Sequence, residues 1–329
     1  MTSAYTESLL AYRYLKGVGK KYLNELAISV ETTKQSIDSC FESGRFGGVF
    51  SKEDIEEAFS KAREQIDIST SFGHFIISRL DPEYPQSLKA VSDAPPILFC
   101  SGNIHLLKKE CITVIGTREP TEHGVVIADR VTQWFSDNGW VIASGLAKGV
   151  DTIAHESCLR AGGETIAVLA HGLEKVYPAQ NKELASEIVK SNGLLITEYN
   201  YNSFVGRSNF VERDRIQAAL AKAVVLVQSD LVGGSLHASR AIIEYGRFLV
   251  VVGQSNRDIT LRESKISANM HLIMGSLEDK QKLLKAKDLN TDSVLLLRDK
   301  SYFSEVDQIV RAVDFSCPQV DINSNIKLF

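Results

Sequence analysis

A chain of 329 residues, 44% hydrophobic and 24% charged, is long enough to bury a large core as two domains or as one with appendages. Its net charge of −4 supplies no bulk basicity, so contact with nucleic acid would have to come from a local patch. Five scattered cysteines (Cys40, Cys100, Cys111, Cys158 and Cys317) without a C-x-x-C pair favour free thiols over disulfides or a zinc knuckle, and no run approaches the roughly 18 apolar residues of a membrane span, so a cytoplasmic protein is expected.

Residues 1–70 read as a small helical module. Leu9, Leu10, Tyr14 and Leu15 recur at helical spacing, Lys16-Gly-Val-Gly-Lys-Lys21 interrupts, and apolar residues resume at Tyr22, Leu23 and Leu26. Helix, Gly-Val-Gly turn and helix resemble a helix-hairpin-helix, whose turn offers N–H groups and lysines to a DNA phosphate. The alternative is a turn that only packs. From Phe72 to Lys109 come short strands and proline turns, a density of proline that suits edge strands.

The next stretch, Cys111 to Lys148, organises the chain. Ile112–Ile115 reads as a buried strand ending at Gly116, followed by Thr117, Arg118, Pro120 and a helix with Thr121 as N-cap and Ile127, Val131, Trp134 and Phe135 on one face. Trp140–Ala143 is a second strand, ending in Ser144-Gly145-Leu-Ala-Lys148-Gly149. Two strand–glycine–helix turns put backbone N–H groups and helix N-termini at one sheet edge, an arrangement that binds phosphate. Strand and helix then alternate: helix 150–161, strand 165–170, helix 180–191, strand 194–197, a loop from Glu198 to Arg207, a basic helix from about Arg213, strand 223–227, a turn at Gly233-Gly234, helix 235–245 and strand 248–252. The expected fold is α/β, doubly wound around a mostly parallel sheet over residues 71–287. Residues 288–329 read as a strand, Val294–Leu297, and a helix with Phe303, Val306, Val310 and Val313 on one face, with no assigned role.

Candidate phosphate contacts are Gly116, Thr117 and Arg118 in the first turn, Gly145 and Lys148 in the second, and Gly234 with the Ser235 hydroxyl at a later helix start. For Arg118 the competing reading is an ion pair with Glu119 or Glu122. Arg207-Ser-Asn-Phe210-Val-Glu-Arg213-Asp-Arg215 adds three arginines and an aromatic ring, the combination that holds a single strand by its backbone while stacking a base. The bland alternative is a solvated loop with Phe210 in the core. Asp151 and His155 are read as a helix cap and a structural hydrogen bond rather than an acid–base pair. No metal or cofactor is expected.

These features, Val114-Ile-Gly-Thr-Arg118, Ser144-Gly-Leu-Ala-Lys-Gly-Val-Asp151, Tyr177-Pro178, Asn209-Phe-x-x-Arg-x-Arg215, Gly234-Ser-Leu236 and Glu244-x-Gly-Arg247, resemble the DNA-processing protein A (DprA/Smf) family. The resemblance implies a Rossmann-like domain that dimerises, binds single-stranded DNA through Arg207 and Phe210, and helps load a RecA-type recombinase, without catalysis. Two features depart from it: Asp214 stands where the family has asparagine, and the short tail does not match the winged helix of many relatives. The aspartate keeps open a sensor of a soluble nucleotide. A nucleotide N-glycosidase of the LOG type is a weaker alternative, because Val232-Gly-Gly234 lacks the proline and residues 235–239 lack the glutamate of that motif.

Overall fold

The computed structural model describes residues 2–315, so Cys317 and the end of the tail lie outside the described residues. Four helices come first: α1 (Ala4–Tyr12), α2 (Lys20–Thr33), α3 (Ile37–Glu42) and α4 (Lys52–Ser71). Serine side chains cap α1, α3 and α4, each accepting from an N–H of the first turn. Leu9, Leu10, Leu23 and Phe41 from these helices join Phe99 and Leu195 of the sheet in one buried cluster, so the helical module sits directly on the sheet.

The sheet forms from β1 (Phe75–Ser78), β2 (Ile97–Gly102), β3 (Cys111–Ile115), β4 (Val141–Ser144), β5 (Thr165–Val168), β6 (Leu194–Thr197), β7 (Ala223–Leu226), β8 (Phe248–Val252) and β9 (Val294–Leu297). The intervening helices are α5 (Gln86–Lys89), α6 (Glu122–Asp137), α7 (Val150–Arg160), α8 (Lys182–Lys190), α9 (Arg207–Leu220), α10 (Leu236–Glu244), α11 (Asn256–Thr260), α12 (Ser267–Met274) and α13 (Leu277–Leu284), and α14 (Phe303–Arg311) closes the chain. The strand order is β1-β2-β6-β5-β4-β3-β7-β8-β9. Strands β3 to β9 run parallel, and β1 and β2 extend one edge antiparallel. Strands such as β3 and β7 are buried at every position and mostly aliphatic, as a sheet covered on both faces requires.

The order reverses between β3 and β7. From β3 the chain moves outward through β4, β5 and β6, then returns to β7 on the other side, which makes a crevice at the C-terminal ends of those two strands. This is where the site lies.

Three expectations change. The α9 helix begins at Arg207, not near Arg213, so the arginine-rich stretch is helical rather than a loop. Its polar first turn carries no apolar period, which is why the sequence hid it. In the Gly-Val-Gly turn, Val18 is buried and Lys20 Nζ lies 3.0 Å from Glu198 and 2.9 Å from Glu212, so that lysine is paired with the protein's own carboxylates; Lys16 and Lys21 stay exposed. The C-terminal segment has a structural role. β9 pairs with β8, and α14 packs Phe303 against Trp134 and Phe135 of α6, while the Trp140 Nε1–H donates to Asp307 at 2.6 Å.

Candidate nucleic-acid interface

Three chain turns wall the crevice: Gly116–Glu119 after β3, Gly145–Lys148 after β4, and Asp230–Ser235 between β7 and α10. The α9 helix forms the fourth wall, and together they enclose a cavity of about 720 Å³, with a small hollow beside it. That volume accommodates a nucleotide-sized group. Down α9 the side chains go from exposed to buried. Arg207 is exposed, Phe210 and Asp214 are half-buried, and Gln217 is 1% exposed. The helix therefore runs from the rim of the cavity to its floor.

At the rim, Arg118 and Arg207 are exposed and have no ionic partner among the described residues. The two acids that competed for Arg118 are taken elsewhere, Glu119 by Lys265 at 3.1 Å and Glu122 by Arg257 at 3.3 Å. The Arg118 guanidinium lies 6.0 Å from the centre of the Phe210 ring, and Tyr177 meets that ring edge-to-face at 5.5 Å. Lys148, also exposed, lines the adjacent hollow with Phe210, Tyr177 and Arg118. Three cations thus gather around one half-exposed aromatic face, a geometry that suits a phosphodiester chain with a stacked base. Gly234 and Ser235 open α10 at the opposite wall, and neither N–H donates to a protein acceptor among the described residues. The Ser235 hydroxyl donates to Ser229 Oγ at 2.8 Å.

Other candidates serve the scaffold. Arg213 is 4% exposed. Its guanidinium donates to the Gly145 carbonyl, to the Val168 carbonyl at 2.6 Å and to Asp214 Oδ1 at 3.1 Å, so it clamps β4 and β5 to α9 instead of meeting a phosphate. Arg215 points away from the cavity and donates to Glu198 at 2.7 Å and to the Asp93 carbonyl at 2.6 Å. Glu198 is 2% exposed and also meets Lys20, so this ion cluster ties the N-terminal helices to α9. The Gly145 N–H donates to Asp151 Oδ2 and the Thr117 N–H donates to the Gln228 carbonyl at 2.7 Å, which removes both from phosphate binding. Gly116 is a packing glycine: a Cβ there would lie 2.6 Å from Val150 Cγ2 and 3.0 Å from the Gln228 carbonyl. Gly149, at φ +75°, abuts the Thr117 and Arg118 carbonyls, where a side chain would be both strained and crowded.

Charges inside the cavity are strongly shifted. Burial pushes the Asp214 carboxyl up to about 7, with neighbouring Asp151 adding to the rise and Arg213 opposing it. Asp151 is raised too, chiefly by burial, and holds the β4 turn rather than capping its helix, since Gly149 occupies the cap position. His155 is buried with Nδ1 2.7 Å from Thr165 Oγ1, and burial lowers its pKa to about 3, so it stays neutral. Among the described residues no cluster of His, Cys, Asp and Glu fits a metal ion, and no helix is long and apolar enough to cross a membrane. Sequence reasoning missed Tyr177 and Gln217 as cavity residues. Gln217 was legible in principle, because it lies three positions after Asp214 on one helix face.

The chain is similar to DNA processing protein DprA of Streptococcus pneumoniae, 37% identical over 198 residues that cover 59% of this chain and 70% of that protein. DprA of Bacillus subtilis is 33% identical over 202 residues, covering 61% and 68%. Protein Smf of Synechocystis is 37% identical over 171 residues, and the chain spans only 43% of its length. The solved structure of the S. pneumoniae protein superposes with a TM-score of 0.64 over 84% of this chain and 100% of that one, at 27% identity. A structure of DNA processing protein A from Helicobacter pylori, presented for its single-stranded DNA binding mode, has a TM-score of 0.54 at 28% identity over 66% and 97%. The DNA recombination-mediator protein A family matches residues 75–276, and the chain belongs to that family.

Proposed function

We propose that this protein holds single-stranded DNA in the β3–β7 crevice and, as a recombination mediator, hands the strand to a RecA-type recombinase. The observation that carries the reading is the trio of exposed cations without ionic partners among the described residues, Arg118, Lys148 and Arg207, gathered around the half-exposed Phe210. Phosphates meet the cations while a base stacks on the ring. A role without catalysis is supported by the first turn of α10, which offers Gly234, Ser235 and His237 to the cavity and no glutamate. Coating of a strand by successive copies needs contacts between them, and the reading includes a homodimer built from the Rossmann-like domain.

Fluorescence anisotropy with labelled oligo-dT tests the reading. Three phosphate contacts predict a log–log salt slope of roughly −2, and weaker binding to duplex than to single strand. Equal affinity for both, or an affinity flat across salt, would exclude it. Tighter binding of a labelled dinucleotide than of the oligonucleotide would move the site to a soluble signal, the alternative that Asp214 keeps open.

A further inference from the structure

The floor of the cavity holds two hydrogen-bond acceptors that the protein itself leaves unused. Asp214 Oδ1 accepts from Arg213 Nε at 3.1 Å and from Gln217 Nε2 at 3.0 Å. Asp214 Oδ2 has no partner among the described residues, and Asp214 lines the cavity. Gln217 lines it too, is 1% exposed, and its Oε1 is buried without a partner. The orientation of that amide is fixed by chemistry: Asp214 Oδ1 already accepts from Arg213, so the Gln217 nitrogen must face it and the oxygen must face the other way. Of the two, Gln217 Oε1 is the buried acceptor without a donor; that costs free energy, and a ligand that supplies the donor recovers it. With the phosphate cations at the rim and these oxygens at the floor, the cavity is arranged for a nucleotide whose base presents two adjacent donors.

Among the DNA bases, guanine alone carries two neighbouring donors, N1–H and N2–H, on its Watson–Crick edge. Adenine and cytosine present one amino group beside a ring acceptor, and thymine a single N–H between two carbonyls. We propose that the crevice is a guanine-selective pocket, in which Asp214 Oδ2 and Gln217 Oε1 accept from N1–H and N2–H of one unstacked base of the bound strand. The inference rests on the single-strand reading of the site and adds base identity to it. Burial raises the Asp214 pKa to about 7, so Oδ2 accepts from the base only in the ionised form, and the affinities are compared at pH 8, where that form predominates.

The test measures the affinity of the intact protein for oligo-dT carrying one central guanine, hypoxanthine, adenine or cytosine; a single guanine cannot form a quadruplex. Hypoxanthine keeps N1–H and lacks the amino group. The guanine oligonucleotide is expected to bind roughly 5- to 10-fold tighter than the other three, the lower end of what one bidentate base contact supplies. Gln217→Met keeps the side-chain volume and should remove most of that preference, so that the guanine oligonucleotide binds like the other three. Asp214→Asn should remove it by a different route. The asparagine oxygen must stay on Arg213 and Gln217, so its NH₂ faces the cavity and opposes the guanine donors. Equal affinity for all four oligonucleotides would overturn the inference and leave the single-strand reading standing. So would guanine and hypoxanthine binding alike, or oligouridylate RNA binding more tightly than oligo-dT, which would assign the two oxygens to a 2′-hydroxyl. Failure to bind any of these oligonucleotides would overturn both readings together.

Discussion

Arg207 and Arg213 stand less than two turns apart on α9, yet one is exposed with no ionic partner among the described residues and the other is buried in a web of carbonyls and a carboxylate. The same contrast separates Arg118 from Arg215. A run of arginines in sequence is therefore two populations in space, rim cations available to a ligand and interior cations that hold the strand ends in place. Burying a guanidinium is tolerated only with its donors satisfied, and Arg213 and Arg215 meet that condition with backbone carbonyls and with Asp214 and Glu198. The two populations should respond to mutation in opposite ways, which makes the contrast testable.

The largest expected effect is on the interior. Arg213→Met leaves Asp214 buried beside Asp151 without its cation and strips donors from the Gly145 and Val168 carbonyls. A loss of about 3–5 kcal/mol of unfolding free energy is expected in denaturant titration. A loss below about 1 kcal/mol together with abolished oligonucleotide binding would make Arg213 a ligand contact after all.

Next comes Asp214. Its carboxyl binds a proton more tightly in the folded protein, near 7, than in the unfolded chain, near 4, so stability declines as pH rises through that window and is level above it. Asp214→Asn removes the ionised form. It should raise stability by roughly 2–4 kcal/mol at pH 8 and by progressively less towards pH 4. A constant difference across the range would show that Asp214 does not titrate near neutrality.

At the rim, Phe210→Ala should cost about 1–3 kcal/mol of single-strand binding while the salt slope and the thermal midpoint hold, because the ring is half-buried and meets the edge of Tyr177 and the Arg118 guanidinium rather than the core. A collapsed midpoint with intact affinity in the folded fraction would return Phe210 to the core. The smallest effect is expected for Arg207→Ala, a change of roughly 0.7 in the slope with unaltered unfolding.

Much of this architecture was legible before any coordinates. Aliphatic runs such as Ile112–Ile115 and Ala223–Val227 announced buried parallel strands, Thr121 and Gly139 bracketed α6, and the two glycine turns located the crevice. Period and capping chemistry are local, so a sequence carries them. The destination of a long side chain is not local. Nothing near Arg213 indicates that the Val168 carbonyl will accept from it, nor does Lys20 reveal that Glu198 lies opposite, because those partners arrive through the winding of the sheet. The start of α9 was misplaced for a related reason: its first turn lies at a cavity rim, where no apolar face is needed. Strand β9 was recognised as a strand, but only the register with β8 shows it completing the sheet.

The measurement that bears most directly on the division between rim and interior is the salt dependence of oligo-dT binding to the wild type and to the Arg118→Ala/Arg207→Ala double variant. Two lost phosphate contacts should move the slope from roughly −2 to roughly −0.7, with an unfolding curve that overlays the wild type. An unchanged slope would contradict the account, and so would a double variant that unfolds earlier while binding as before.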